Sequence, residues 1–426
     1  MKTLKLFFMF TILALYSTDR ASAQGTAVPF LLITSSPEGN GMGGIGGSIQ
    51  TDNAMSTLAN PGQLGMMTLD HFLIAGTYTE NTAWLPEFEL SGLTYNTYAI
   101  NEGVNFQQFS KLPFGLSVGY GYSKIMLNLG TFTAITEEGG PIYTWEAKER
   151  SENFDFGIGF EYVVKIGLGY SVKYVDSDLT PWNEAKFSTY DLGMIMTIPV
   201  FGIISKFREQ PITFGNDIEP MFDITFGYAK KNLGDKFVIY TNVINQGDPL
   251  PRTALMGLSW KAGIIAHAST QKWEVISFTL AREAEDVLVK QFPAPTDSLG
   301  NPIGYPPPSQ YVDGSGDIQF FRNVIAGEWG GKIWLRKGWQ TNIGEFFYMS
   351  GGRTDAPGLG FSTLGYAFRL AGILKTIEAL NCPVSDSPVF KFFVNHVDLR
   401  FDHSQEYNTD GAREGTTYDG LNFVLN

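Results

Sequence analysis

Apolar and polar residues alternate with a period of two along several segments of the chain. In residues 116–122, leucine, valine and tyrosine share one face, whereas Ser117, Gly119 and Gly121 share the other, and residues 154–162 repeat the pattern. Because successive side chains of a β-strand point to opposite faces, each segment is predicted to be a strand with one apolar face. The alternation recurs in residues 166–174, 222–228, 276–282, 364–370, 397–402 and 421–426.

The length and composition of these segments favour a membrane barrel over a soluble β-sandwich, which shows the same alternation. The apolar faces are rich in Phe, Tyr and Leu, and a tilted strand needs about 9–11 residues to cross a bilayer. The opposite faces carry Gly, Ser, Thr, Asn, Asp and Glu, which suit a hydrated lumen better than a sandwich core. Since unpaired backbone groups are costly in lipid, the sheet must close. The sequence therefore predicts an all-β, membrane-spanning antiparallel barrel of about 14 strands.

The phase of the alternation predicts which side chains face lipid. Tyr120, Ile158 and Phe226 fall on apolar faces in the middle of their segments, so we expect these positions to reject charge. Gly119 and Gly159 fall on the opposite faces. We expect substitutions there to be milder, unless the lumen is tightly plugged.

The N-terminus has the pattern of a secretory signal peptide. Lys2 and Lys5 precede the apolar residues 6–16, and Ala21-Ser22-Ala23 forms an A-x-A cleavage site. We therefore divide the chain into a signal peptide (1–23), a Gly-rich, plug-like segment inside the barrel or at its mouth (24–68), and the barrel (69–426). A short amphipathic helix is predicted near residues 372–380 of the barrel.

Composition further limits the class of protein that the sequence can encode. Charged residues make up 17% of the chain, against a usual ~25%, and no segment after the signal peptide has 18 consecutive apolar residues. The formal net charge of −13 argues against nucleic acid as a partner. Cys382 is the only cysteine, so no intrachain disulfide can form.

No motif in the chain indicates catalysis, a cofactor or a metal. Gly41, Gly43 and Gly46 satisfy the spacing G-x-G-x-x-G, but a dinucleotide site needs a βαβ unit around it, which the sequence lacks. The four histidines lack metal-ligand spacing. Residues 402–404 are Asp-His-Ser, but neighbours on a strand point to opposite faces and cannot form a triad. We therefore expect a protein that is not an enzyme.

Two polar segments are predicted to be extracellular loops. Residues 293–317 form the longest, Pro-rich segment, and residues 137–152 form another. Tyr305 and Tyr311 lie in the first loop and are our candidates for contact with a protein partner, because aromatic residues carry much interface energy. The sequence does not decide whether the apolar residues 194–207 form a pair of strands or a segment packed inside the barrel.

The start of the predicted mature chain resembles the PorV family, FadL-like outer-membrane barrels of the type IX secretion system. The resemblance rests on Phe30-Leu31-Leu32-Ile33-Thr34, the run Gly41-Met42-Gly43-Gly44-Ile45-Gly46, Asp52, and the Asn60-Pro61-Gly62-Gln63-Leu64 element. Later segments add to it: Lys231-Asn232-Leu233-Gly234, Leu250-Pro251-Arg252, Gly257-Leu258-Ser259-Trp260, residues 285–289, residues 372–380 and residues 394–397. The sequence departs from the family at Pro61-Gly62-Gln63, where Pro-Ala is usual.

The resemblance implies a non-enzymatic outer-membrane component of that secretion system, embedded in outer-membrane lipid. Such a barrel receives secreted cargo proteins by their C-terminal signal domains from the translocon and passes them to a cell-surface attachment complex. The alternative is a FadL-like passive transporter of hydrophobic small molecules, in which the N-terminal segment plugs the lumen. A structural porin fits less well, because an open channel has no place for the Gly-rich segment.

The signal-peptide pattern generates a first prediction. Export should leave Gln24 as the first residue of the mature protein, in an outer-membrane fraction whose migration on gels changes with heating. N-terminal sequencing of that fraction tests both expectations. A preparation that begins at Met1, or that fractionates with the inner membrane, would contradict them.

Overall fold

A computed structural model describes most of the chain. It covers residues 26–69, 73–86, 92–110, 112–137, 139–214, 218–234, 237–238, 248–268, 271–292, 295–297, 303, 307, 309–330, 332–357, 359–380, 385, 387–407 and 413–426. The predicted signal peptide, Tyr305 and Cys382 lie outside the described residues.

The strands form one closed antiparallel sheet. In chain order they are β1 Leu73–Thr79, β2 Leu93–Asn105, β3 Gly115–Ile135, β4 Pro141–Glu161, β5 Lys165–Thr180, β6 Asn183–Pro199, β7 Ile218–Gly234, β8 Thr253–Ala268, β9 Gln271–Val287, β10 Trp334–Ile343, β11 Phe347–Ala356, β12 Leu359–Arg369, β13 Val397–Tyr407 and β14 Thr417–Leu425. Each strand pairs with the next, and β14 returns to pair with β1. The prediction of a 14-strand antiparallel barrel is confirmed.

The α-helices are short and lie at the ends or inside the barrel. They are α1 Pro37–Gly41, α2 Gly62–Met67, α3 Val200–Arg208, α4 Leu370–Ala379 and α5 Pro388–His396, with a π-helix at Phe320–Ile325 and 3-10 turns at Pro29–Leu32, Ala54–Leu58 and Phe106–Gln108. None of the helices in the described residues has the length and apolar character to cross a membrane. Residues 194–207, whose structure the sequence does not decide, form the end of β6 and most of α3. The helix α4 lies where a helix was predicted near residues 372–380.

The two ends of the barrel differ in their connections. At the end we call the upper end, β9 and β10 are joined by residues 288–333, the longest connection in the barrel. At the lower end, α3 joins β6 to β7, and α4 and α5 join β12 to β13. The prediction of a loop over 137–152 is wrong for most of its length, because β4 begins at Pro141 and its cross-strand pairing with β3 continues there.

The outer face carries the apolar side chains that the alternation assigned to lipid. The side chains of Tyr120 and Ile158 are 44% and 54% exposed. Phe226 is half-buried instead, because the ring of Phe320 packs 5.7 Å from its ring. Residues 315–330, here called the outer segment, thus fold back over the outside of β7–β9. This long-range contact partly buries Phe226, which periodicity alone assigns to the lipid-facing surface.

The inner face is lined with glycine where the N-terminal segment touches it. A Cβ atom on Gly159 would lie 2.1 Å from the carbonyl oxygen of Gly65, and one on Gly119 would lie 2.9 Å from the side chain of Leu64. Such distances are shorter than real contacts allow. The lumen is tightly filled at Gly119 and Gly159. Substitutions there are therefore not expected to be mild.

The glycine contacts generate a second prediction. Gly159→Ala should lower the free energy of unfolding by about 1–3 kcal/mol, because its methyl group would overlap the backbone of α2. Gly76→Ala is the matched control, since the nearest atom to its added Cβ is 3.9 Å away. Urea unfolding of the purified barrel, followed by heat-dependent gel migration, measures both. Equal stability of the two variants would contradict the close contact.

Candidate functional site

The Gly-rich run of the N-terminal segment packs against β11 and β12. Thr363 Oγ1 accepts a hydrogen bond from the Gly43 amide at 2.8 Å and donates to the Gly41 carbonyl at 3.2 Å. Thr354 Oγ1 donates to the Gly43 carbonyl at 2.7 Å. Gly43 has a φ of +74°, and a Cβ there would lie 2.5 Å from the Arg353 amide nitrogen. Only glycine fits this position, both for its backbone conformation and for the closeness of the wall.

The third glycine of the motif belongs to a nest of backbone amides. The amides of Gly46, Gly47 and Ser48 donate to the Glu283 carboxylate at 3.3, 2.8 and 2.7 Å, and Ser48 Oγ donates at 2.8 Å. Glu283 points inward from β9 and is fully buried. Successive amides of this kind form an anion site. Here a carboxylate of the barrel wall occupies it, so the glycine spacing serves packing within the chain.

Asn60 and Pro61 fix the next part of the segment to β5 and β6. Asn60 Nδ2 donates to the carbonyls of Gly47 and Met194, both at 2.9 Å, while its Oδ1 accepts from the Gly62 amide at 3.0 Å. A Cβ on Gly169 would lie 2.0 Å from the Pro61 carbonyl oxygen. The Asn-Pro pair thus holds the start of α2 directly on the wall.

Ion pairs, one buried and one partly exposed, connect the segment to the wall on the other side of the lumen. Asp52 pairs with Arg369 at 2.7 Å, and Glu38 pairs with Arg400 at 3.0 Å. Arg400 also pairs with Asp402 at 2.8 Å. A buried pair such as Glu38–Arg400 adds little net stability, but breaking it leaves an uncompensated buried charge. Arg369, Arg400 and Asp402 fall on the polar faces of their strands, but the sequence does not show that partners lie in the N-terminal segment.

An apolar cluster fills the upper part of the lumen, and we call it the upper chamber. Phe30 and Leu31 from the N-terminal segment pack there with inward side chains of the wall and with Leu250 from the β7–β8 connection. The wall residues are Leu93, Tyr95, Ile125, Leu127, Val175, Ala185 and Tyr418. The sequence predicted a polar lumen. This part of it is apolar, because the alternation changes to apolar residues on both faces near the upper end.

One small cavity lies inside the barrel beside the N-terminal segment. This cavity of about 40 Å³ lies between the N-terminal segment and the wall, next to Ile45, Met55 and Leu255. A water molecule needs about 10–15 Å³ by this measure, so the cavity holds a few waters and no larger solute. The N-terminal segment therefore occupies this part of the lumen, where an open porin channel would have no place for it.

Tyr311 takes part in contacts within the chain. Its hydroxyl accepts a hydrogen bond from the Leu250 amide at 2.8 Å, and the Arg252 guanidinium lies 3.6 Å from the centre of its ring. Burial raises the pKa of Tyr311 above its ordinary value. Its ring thus ties the long upper connection to the Leu-Pro-Arg motif. Contact of Tyr305 or Tyr311 with cargo stays a prediction.

The Lys-Asn-Leu-Gly motif forms an irregularity in the wall beside the upper chamber. The register between β6 and β7 shifts at Asp191, and Asn232 has a left-handed φ of 57°. The Asp191 carboxylate accepts from the Asn232 amide and from Lys173 Nζ, at 2.7 and 2.6 Å. Asn232 Nδ2 donates to the Pro251 carbonyl at 2.9 Å, so the motifs of β7 and the next connection form one contact network.

The residues of the remaining candidate sites are not brought together by the fold. Asp402 and Ser404 point inward from β13, whereas His403 points outward and pairs with Asp419 at 2.7 Å. The opposite orientation of neighbours at 402–404 follows the strand geometry. No group of three His, Cys, Asp or Glu side chains in the described ranges is arranged to hold a metal ion.

Comparison with known proteins gives matches in structure alone. No family model and no curated protein matches the chain. The toluene transporter TbuX of Ralstonia pickettii is 9% identical, with 92% of this chain and 97% of that chain covered and a TM-score of 0.40. The toluene transporter TodX of P. putida is 11% identical, with 91% and 96% covered and a TM-score of 0.36. Because both TM-scores are below 0.5, nothing about function follows from these likenesses.

The amide nest generates a third prediction. Glu283→Gln should lower the free energy of unfolding by about 1–3 kcal/mol, because the amide side chain cannot accept from all the nest donors. Exchange of the Gly46–Ser48 amides with deuterium should become faster. Glu102→Gln, on the exposed outer face of β2, is the control. Unchanged exchange in the Glu283 variant would show that the carboxylate does not hold the segment.

Proposed function

We propose that the protein is an outer-membrane barrel that takes up apolar small molecules through the upper chamber. The upper chamber is the observation that carries this proposal. It is the largest apolar cluster of buried residues inside the barrel, and the chain's own Phe30 and Leu31 occupy it. Binding sites for small ligands are mostly apolar concavities of this kind. Displacement of these two side chains would expose a site that suits a hydrophobic molecule.

The proposal includes the orientation of the barrel. Outer-membrane barrels carry long connections outside the cell and short ones in the periplasm. We therefore assign the upper end, which carries residues 288–333, to the cell exterior. The amphipathic helices α4 and α5 then lie at the periplasmic end. In this orientation the upper chamber is the first part of the lumen that an external molecule meets.

A second candidate function is the delivery of secreted proteins, as the PorV resemblance implies. The specific observation in its favour is the outer segment, which leaves Phe321 80% exposed and Trp329 half-exposed on the outside of the wall. Aromatic side chains on a surface suit a protein partner. A cargo domain is larger than the lumen, so it would be met outside the barrel.

The upper chamber generates a fourth prediction, which tests the first function. The double variant Phe30→Ala/Leu31→Ala removes the occupant and should speed uptake of a radiolabelled long-chain fatty acid by cells that express the barrel. Leu127→Asn, in the wall of the same chamber, should slow uptake, because an unpaired buried amide disfavours apolar ligands. Phe156→Ala/Ile158→Ala on the lipid face is the matched control. Heat-dependent gel migration checks that each variant is folded.

The two functions give different results in this experiment. Uptake that equals the background in the wild type and in every variant would overturn the transporter proposal. Deletion of residues 301–308 then tests the shuttle: it spares Tyr311 and its contact with Leu250, and should reduce secreted cargo on the cell surface. Unaltered cargo display would contradict the shuttle.

A further inference from the structure

Three cations stand side by side on the outer face of β9, β10 and β11. Arg282 is the cross-strand partner of Lys337, and Lys337 is the partner of Arg353. The residues on either side of each cation, such as Glu283, Arg336 and Thr354, point inward and are buried. The three cations therefore share the outer face, in one row across three neighbouring strands.

This row differs from other charged positions on the outer face. On β3–β5, cross-strand neighbours have opposite charge: Lys124 pairs with Glu152 at 3.0 Å, and Arg150 pairs with Asp176 at 2.6 Å. Opposite charges in such positions stabilise a sheet, whereas like charges directly opposite each other destabilise it. The row on β9–β11 thus has an arrangement that is unfavourable unless an anion lies against it.

The nearby protein groups neutralise the row only in part. Arg353 pairs with Asp355 at 2.7 Å, two residues along the same strand. Arg282 Nη1 donates to the Ile325 carbonyl of the outer segment at 2.5 Å, and no carboxylate of the described residues forms an ion pair with it. Lys337 forms no ion pair with the described residues. The one outward carboxylate of β9 near this end, Asp286, is buried and accepts from the Asp317 amide at 2.6 Å.

Apolar side chains border the row of cations on the side of the lower end. The next outward row toward the lower end has Leu280, Trp339 and Leu364, with the Trp339 indole over Gly351. Leu280 and Leu364 are exposed apolar side chains. Beside the row, the outer segment presents Phe321. A molecule held here meets cations at its upper part and apolar side chains below, which is the layout of an anionic lipid.

We propose that Arg282, Lys337 and Arg353 bind the phosphate of a lipid in the outer leaflet, with its acyl chains along Leu280, Trp339 and Leu364. Arginine and lysine form strong charge-assisted hydrogen bonds to phosphate oxygens. The choice of leaflet rests on the orientation given under Proposed function. The site itself does not depend on either transport function.

Native mass spectrometry of the purified full-length barrel in non-ionic detergent tests the site. The probes are phosphorylated lipid A, its dephosphorylated form, phosphatidylglycerol and inorganic phosphate. Wild-type protein should bind phosphorylated lipid A about tenfold more tightly than the dephosphorylated form, as expected for lost charge-assisted contacts. The double variant Lys337→Gln/Arg353→Gln should lose this difference, and Lys337→Arg should keep it.

The matched control is Lys124→Gln/Arg150→Gln, which removes cations of the same face that already have carboxylate partners. It should bind lipid A as the wild type does. Equal binding by wild type and Lys337→Gln/Arg353→Gln, with both shown to be folded by heat-dependent migration, would overturn the proposal. So would binding of inorganic phosphate alone at the same concentration. A preference for phosphatidylglycerol over lipid A would overturn the outer-leaflet assignment and, with it, the orientation.

Discussion

Backbone atoms of α2 touch backbone atoms of the barrel wall, and glycine makes that contact possible. Gly62 lies against Met194 and Ile195 of β6, and Gly65 lies against Ile158 and Gly159 of β4. A closed barrel in lipid satisfies its own backbone but leaves an interior to be filled. Glycine on both sides removes the side chains that would keep the two backbones apart. The close approach of α2 to the wall determines how the lumen is filled, including the ion pairs across it and the upper chamber above it.

The fold could be predicted because the strands of a membrane barrel require a simple alternation of apolar and polar residues. Lipid on one side and a different environment on the other produce the alternation seen at 116–122 and 154–162, and closure follows from backbone hydrogen bonding. The rule fails where a third element intervenes. Phe226 is covered by Phe320, nearly a hundred positions away, and no local pattern encodes that contact. Residues 141–152 read as a loop because, above the bilayer, a strand needs no apolar face.

The candidate site was harder to predict for a related reason. The sequence predicts that the Gly-rich segment lies inside the barrel or at its mouth, but the partner of its Gly46 amide, the buried Glu283, lies more than two hundred residues away on β9. A carboxylate in a nest of amides resembles an anion site filled by the protein itself. The upper chamber escaped prediction because inward Ile125 and Leu127 look the same in sequence as outward leucines. Only the register of the whole sheet shows which face they share.

The contacts also limit which part of the N-terminal segment can move. Residues 46–60 bind the wall through the Glu283 nest, Asp52 and Asn60, and release of these groups would leave several buried polar atoms unsatisfied. Residues 26–33 are held differently: among hydrogen bonds between described residues, one from the Ala27 amide to the Pro249 carbonyl, 2.9 Å long, joins them to the rest. Apolar contact in the upper chamber provides the remainder. Such contact is non-directional, so it depends less on exact geometry than the hydrogen bonds of residues 46–60 do. An opening of the lumen would therefore begin at Phe30 and Leu31, while α2 stays on the wall.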